Sequence, residues 1–247
     1  MTSHYDKGYE KAAHLYDIFD NKDNINFFLH FASEAAEIID IGAGTGRIAI
    51  PLAQKGITVF CVEPSPAMRR EFVRKLSARP HLSKNIRIME GDAMSFDFGR
   101  TFPAAFLSAT FDHFLDDDER IASLTNIARH LQPQGRLIFD VFLGLMKNSS
   151  LSPAGEYKEG NKEYRRFVGG KLIPGNRKET ILIFETFESG TLIERIEERS
   201  LVGIIDRENL HKLLKKTGFE VQQELSNYDR TAFKRDDKLL IIEAMKK

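Results

Sequence analysis

Three short segments of this 247-residue chain carry side chains whose types and spacing can do chemistry. The first is Asp40-Ile41-Gly42-Ala43-Gly44-Thr45-Gly46-Arg47, where an apolar run leads into three closely spaced glycines. Glycines at such a turn let the backbone fold back and approach a ligand with no side chain intervening. The helix start that follows offers free N–H groups. The second is Glu63, which closes the apolar run 58–62 and precedes Pro64. A carboxylate there can accept hydrogen bonds from both vicinal hydroxyls of a ribose. The third is Glu90-Gly91-Asp92-Ala93, in which Asp92 can accept from the exocyclic amine of an adenine. Each has a bland reading: a structural turn, a solvated strand-end acid, an ordinary bend. Together, at three successive strand ends, they are far more specific than any one alone.

Spacing narrows the ligand. The dinucleotide pattern is G-x-G-x-x-G; counted from Gly42, its third glycine would fall on Arg47, so the run here is G-x-G-x-G. No Lys-Ser or Lys-Thr follows to complete a phosphate loop. A nicotinamide-dependent oxidoreductase is thereby disfavoured.

The elements that must position these segments follow from periodicity. Apolar runs at 38–41, 58–62, 86–89, 104–107 and 137–142 lack alternation, as expected of strands covered on both faces. Helical patterns separate them. Pro66 suits a first helical position, with Met68, Phe72 and Leu76 on one face. Asp116, Asp117 and Asp118 open a helix that Gln132-Pro133-Gln134-Gly135 stops. Pro51 removes a helical N–H early in the helix after the glycines. This βαβ series predicts a parallel sheet with helices on both faces. Asp206 caps a further helix and Gly218 ends it. Two closing strands, 219–225 and 238–244, are joined too briefly for a helical crossover and should pair antiparallel, making seven strands.

Residues 145–205 leave this pattern and read as an antiparallel insertion. Residues 146–164 are polar and turn-rich, like a loop or lid, and Gly169-Gly170 and Ser189-Gly190 suit hairpin turns. The second half has enough Ile, Leu and Phe to line a pocket or a homodimer contact. Lys162, Arg165, Arg166, Lys171, Arg177 and Lys178 concentrate positive charge there, as solvated strand faces or for recognition of an acidic acceptor. Residues 9–35 look helical, with an aromatic face that should cover one end of the sheet.

With 36 basic and 36 acidic residues the net charge is zero, which leaves no global field for nucleic acid or an anionic membrane. One cysteine, Cys61, excludes an intrachain disulfide and sits in an apolar strand as core. His4, His14, His30, His81, His130 and His211 show no metal spacing. No run approaches a membrane span and the opening residues have no apolar leader core, so a cytoplasmic setting is expected.

With DIGAGTGR at 40–47, VEPS at 62–65 and EGDA at 90–93, the chain resembles the class I S-adenosylmethionine-dependent methyltransferases. Residues 102–117 look like that family's fourth strand and active-site loop, and residues 131–141 like its following helix end and fifth strand. The resemblance covers roughly 12–142 and 206–246 and implies a Rossmann-like, doubly wound α/β sheet whose last strand is antiparallel. The expected organisation is a helical cover at 1–35, a cofactor-binding domain at 36–144 and 206–247, and the insertion at 145–205. It further implies S-adenosylmethionine as cofactor, with Gly42, Ala43, Gly44 and Gly46 at its methionine part, Glu63 and Pro64 at its ribose, and Asp92 and Ala93 at its adenine. Asp40 orders the loop or meets the amino group through water. Tyr16, in a Tyr16-Asp17 pair, and Ser108 lie near the cofactor. His113 is a candidate general base and Asp112 can orient an acceptor. The expected reaction is methyl transfer to an N or O atom of a small molecule; the non-catalytic alternative is a cofactor-binding regulatory module.

Overall fold

The computed structural model describes residues 10–19 and 24–247; residues 1–9, with His4, and residues 20–23 lie outside the described residues. Within the aromatic N-terminal stretch lie α1 (Ala13–Tyr16), continued by a 3-10 turn, and α2 (Ile25–Ala32). Phe27, Phe28, Phe31 and Ala32 bury one side of α2 against Ile38 and Ile138, so it covers a face of the main sheet, not its end.

Strands β1 (Glu37–Ile41), β2 (Thr58–Glu63), β3 (Ile86–Glu90), β4 (Phe102–Leu107) and β5 (Leu131–Phe142) pair in parallel. The helices between them are α3 (Ala49–Gln54), α4 (Pro66–Ser77) and α5 (Asp117–His130). Their starts follow local chemistry. Ser65 accepts from Met68 N and places Pro66 at the first helical position; Asp116 accepts from Glu119 N. Pro51 falls in the first turn of α3, where its missing N–H has no intrahelical partner to lose. The stretch 131–136 is not a simple stop. It is the irregular start of β5, with a register shift against β4 and Gln134 at φ +61°.

Beyond β5, strands β6 (Ser149–Glu159), β7 (Lys162–Ile173), β8 (Arg177–Glu188) and β9 (Thr191–Gly203) form a separate antiparallel sheet in chain order. Two expectations are corrected here. Residues 149–159, expected as a loop, are an edge strand whose partners lie on one side only, so no apolar alternation marks it. Gly169-Gly170 is mid-strand, opposite Ile181 and Thr180; the turns fall at Gly160-Asn161, at Pro174-Gly175-Asn176 and, as expected, at Ser189-Gly190.

Helix α6 (Arg207–Lys216), capped by Asp206, leads to β10 (Phe219–Leu225) and β11 (Leu239–Lys246). The main sheet runs β10-β11-β5-β4-β1-β2-β3, with β11 antiparallel to both neighbours. This is the seven-stranded, doubly wound α/β fold expected. Among the described residues no helix is long and apolar enough to cross a membrane.

The insertion sheet is anchored at two places. Phe184 packs on Leu15 and Phe19 of the N-terminal segment, and Glu198 accepts from the backbone N–H of Lys11 and Ala12. At the other end Gly203 lies against the loop before α5: a Cβ there would sit 2.3 Å from the carbonyl oxygen of Phe114. Gly203→Ala should therefore cost about 1–3 kcal/mol through overpacking, read as a lower urea midpoint at unchanged m-value; an unshifted midpoint would show that this contact does not hold the insertion.

Candidate active site

A cleft opens at the carboxyl ends of β1, β2, β3 and β4, beside the point where the strand order reverses, which is where open α/β sheets bind ligands. Its wall takes Tyr16, Asp40, Gly42, Ala43, Gly44, Glu63, Pro64, Asp92, Ala93, Ser108 and His113, all singled out from the sequence. Two expected residues lie elsewhere, Gly46 and Asp112.

The three loop glycines all have positive φ, +71°, +55° and +83° for Gly42, Gly44 and Gly46, and each has its own reason. A Cβ on Gly42 would meet Thr110 Oγ1 at 2.3 Å, so this glycine admits the loop after β4. A Cβ on Gly46 would meet the Phe72 ring of α4 at 2.2 Å; Gly46 is a packing residue against α4 and does not line the cleft. A Cβ on Gly44 would touch nothing within 4 Å, because it would stand in the cleft.

Glu63, 5% exposed, accepts from Gly44 N through Oε2 at 2.7 Å and from Ser65 N through Oε1 at 2.8 Å. It thus locks the glycine loop to the start of α4, while a carboxylate retains lone pairs for a ligand's hydroxyls. Asp92 Oδ1 accepts from Met94 N and Ser95 Oγ, both at 2.9 Å, which fixes the turn after β3.

Asp40 is 2% exposed, and its Oδ2 has no hydrogen-bond partner among the described residues although it borders the cleft. Burial pushes its carboxyl up to about 7, the nearby Arg47 opposes this, and Glu63 adds to it. Arg47 donates to Asn24 Oδ1 and, at 2.8 Å, to Ser108 Oγ. Thr45 donates to Asp17 Oδ1 at 2.7 Å and accepts from Lys75 Nζ at 2.9 Å; Lys75 also pairs with Asp17. This network ties α1, and with it Tyr16, to the glycine loop.

At the far end of the cleft, the loop after β4 is held by a buried acid. Asp140 of β5 accepts from Ala109 N at 2.6 Å, and Ala109 adopts φ +51°. Tyr228, from the β10–β11 connection, donates to its other oxygen at 2.8 Å. Burial holds the Asp140 carboxyl above its ordinary range and the Tyr228 phenol above its own. Asp112 accepts from Phe142 N at 3.2 Å; burial and the neighbouring Asp140 push its carboxyl up to about 7. It braces the end of β5 while His113, beside it, lines the cleft. Cys61 is fully buried and its thiol is pushed up by desolvation, as befits core. Among the described residues no His, Cys, Asp and Glu cluster can hold a metal ion.

Sequence reasoning missed Arg47, Met68 and Thr110 in the wall and the Asn24, Asp140 and Tyr228 network behind it. Arg47 directly follows the glycines and was available from the motif. Asp140 and Tyr228 are 88 residues apart, and nothing local signals their meeting.

Comparison with known proteins agrees with the geometry. A family model described as a methyltransferase domain matches residues 38–135. An uncharacterized methyltransferase of Bacillus thuringiensis (strain Al Hakam) is 26% identical over 150 residues, 56% of this chain and 68% of its own. The CcbJ methyltransferase from Streptomyces caelestis superposes with a TM-score of 0.81 at 19% identity, over 100% of this chain and 99% of its own. CalS10, an amino pentose methyltransferase from Micromonospora echinaspora solved with S-adenosylmethionine bound, does so at 0.69 and 19%, over 99% and 94%. Residues 38–135 thus match a methyltransferase domain, and the whole chain has the fold of these S-adenosylmethionine-dependent methyltransferases.

The residues present fit that cofactor. The partnerless Asp40 Oδ2 suits a cationic amino group, the space beside Gly44 admits ligand where a Cβ would not, and Ile41, Val62 and Met68 give the cleft apolar surface. Ionised Asp40 holds an ammonium better than its neutral form does. S-adenosylhomocysteine affinity should therefore rise as pH climbs from 6 to 8, and Asp40→Asn should flatten that rise. The sign for the free protein is opposite. With Asp40 raised toward 7, the native state binds more protons than the unfolded chain between about pH 4 and 7, so this group's contribution to stability falls as pH rises. Calorimetry across that range checks the first, and urea titrations the second. Gly44→Ala should cost about 1–2 kcal/mol of stability, yet weaken S-adenosylhomocysteine about 10-fold or more by filling the cleft. Gly46→Ala should do the reverse, with the larger loss in stability.

Proposed function

We propose that the chain moves a methyl group from S-adenosylmethionine to an N or O atom of a small-molecule acceptor held between the strand ends and the insertion sheet. The observation that carries this reading is one cleft in which cofactor-side groups (Asp40, Gly44, Glu63, Asp92) continue into the loop of Ser108, Thr110 and His113. The amino pentose named for CalS10 supports a small amine as acceptor. When bound, S-adenosylmethionine supplies a methyl group on a sulfonium that is already a good leaving group. The protein's task is then alignment and exclusion of water, which can lower a barrier by about 7–11 kcal/mol. In this reading Glu63 takes the ribose hydroxyls, Asp92 the adenine edge and Asp40 the amino group. Tyr16 closes the cleft from the N-terminal side. His113, in the cleft wall, receives the proton that an N–H or O–H acceptor loses. Asp112, bonded to Phe142 N, positions the His113 turn.

Two measurements test it. Glu63→Gln should weaken S-adenosylhomocysteine roughly 10- to 100-fold, the scale of hydrogen bonds to a charged group; unchanged affinity in a folded variant would remove Glu63 from the site. Purified protein with methyl-labelled S-adenosylmethionine should label a small molecule in a metabolite extract. His113→Asn should cut that labelling about 10²- to 10⁴-fold with cofactor affinity unchanged. Label that enters only macromolecules would contradict the proposal.

A further inference from the structure

The basic character of the insertion is unevenly used. Side chains of β8 alternate between two faces, and the face carrying Phe184, which packs on the N-terminal segment, also carries Leu182, Thr180 and Lys178. On β9 the residues opposite these, Ile196, Glu198, Ser200 and Val202, share it. Glu198, Ser200 and Val202 are buried, whereas Glu197 and Arg199 of the other face are exposed. This inner face is anchored at Phe184, beside the helix that carries Tyr16, and at Gly203, against Phe114. Tyr16 and Phe114 both line the cofactor cleft. The stretch from Leu182 to Lys178 therefore runs between two anchors whose neighbours line the cleft.

Lys178 is 7% exposed and has no ion pair or hydrogen bond among the described residues. Its stem leans inward along the sheet. It pairs with Leu172 on β7, yet its Cε lies 2.4 Å from where a Cβ on Gly170 would be, and Gly170 is opposite Thr180. Gly170 makes room for the lysine, which accounts for a glycine in mid-strand. The acids of the same face are engaged elsewhere: Glu198 by the backbone of Lys11 and Ala12, and Glu194 by His14 and Thr186. Burial alone holds the Lys178 ammonium below its ordinary range, with no carboxylate to restore it. Other cations of the segment are engaged or exposed: Arg177 pairs with Asp116, Arg165 with Glu163, Arg166 donates to Ala154 O, and Lys162 and Lys171 lie at exposed positions. An ammonium partly withdrawn from water without a counter-charge is disfavoured, and an anionic ligand offsets that cost.

We infer that Lys178 receives an anionic group, a carboxylate or a phosphate, of the methyl acceptor. This rests on the small-molecule reading above and narrows it to acidic acceptors. One amine or hydroxyl takes the methyl group at the His113 end while the acid is held on the roof of the site.

The test has two independent readouts. In protein labelled at the lysine ε carbon and saturated with S-adenosylhomocysteine, the signal missing from Lys178→Met should titrate below the other lysines. It should shift, with a raised pKa, when acetate or inorganic phosphate is added; the ion that acts at lower concentration identifies the acid. In turnover, matched amines and phenols bearing a carboxylate or a phosphate monoester are compared with their methyl-ester or unsubstituted counterparts. The acidic member should be favoured about 10- to 100-fold in KM, and Lys178→Met should collapse that ratio at unaltered S-adenosylhomocysteine affinity. A Lys178 signal indifferent to both ions, or an acid-to-neutral ratio that survives the substitution, overturns the assignment. If no small acceptor is methylated while the ions still move the Lys178 signal, the anion site stands and the small-molecule reading of function fails.

Discussion

A carboxyl group buried near the end of β1, with one oxygen turned to an open cleft, constrains most of what surrounds it. Asp40 would cost several kcal/mol to keep charged and partnerless there, and burial holds it near neutrality instead. A donor entering from the cleft would let it ionise. The glycine loop, the Glu63 clamp on Gly44 N and Arg47 all lie within the same small volume. They make a site that is best satisfied when a cationic, hydroxyl-rich ligand is present.

The loop's conformation follows from strand order. Because β1 lies between β2 and β4, the turn after it meets both Val62, which accepts from Gly42 N and Ala43 N, and Thr110, which presses on Gly42. Residues with side chains cannot occupy that gap. Further along the cleft the same device recurs with a different donor: Asp140 and Tyr228 hold Ala109 in a left-handed conformation and so present His113 to the cleft. The glycine end of the cleft is thus fixed by β2 and the loop after β4, and the far end by segments brought from further along the chain.

That difference sets what was legible in the sequence. The parallel strands, the helix caps at Ser65, Asp116 and Asp206 and the three strand-end motifs are local patterns, and each lies where the spacing predicts. Gly46 packs against Phe72 of α4, and the sequence cannot show whether a glycine faces a ligand or a phenylalanine ring from another helix. Strand β6 was misread as a loop because an edge strand with Ser, Gly, Lys and Glu has no apolar face to alternate. Gly169-Gly170 looked like a turn, yet Gly170 is there to admit the stem of a lysine on the next strand. Asp112, expected to orient an acceptor, accepts instead from Phe142 N, which another strand contributes.

The most direct measurement is a crystal structure of the protein grown with S-adenosylhomocysteine. The account predicts the amino group at Asp40 Oδ2, the ribose hydroxyls on Glu63, the adenine against Asp92 and the sulfur facing the loop of Ser108 and His113. Ligand density outside this cleft, or an Asp40 carboxyl still partnerless beneath a bound ligand, would contradict it.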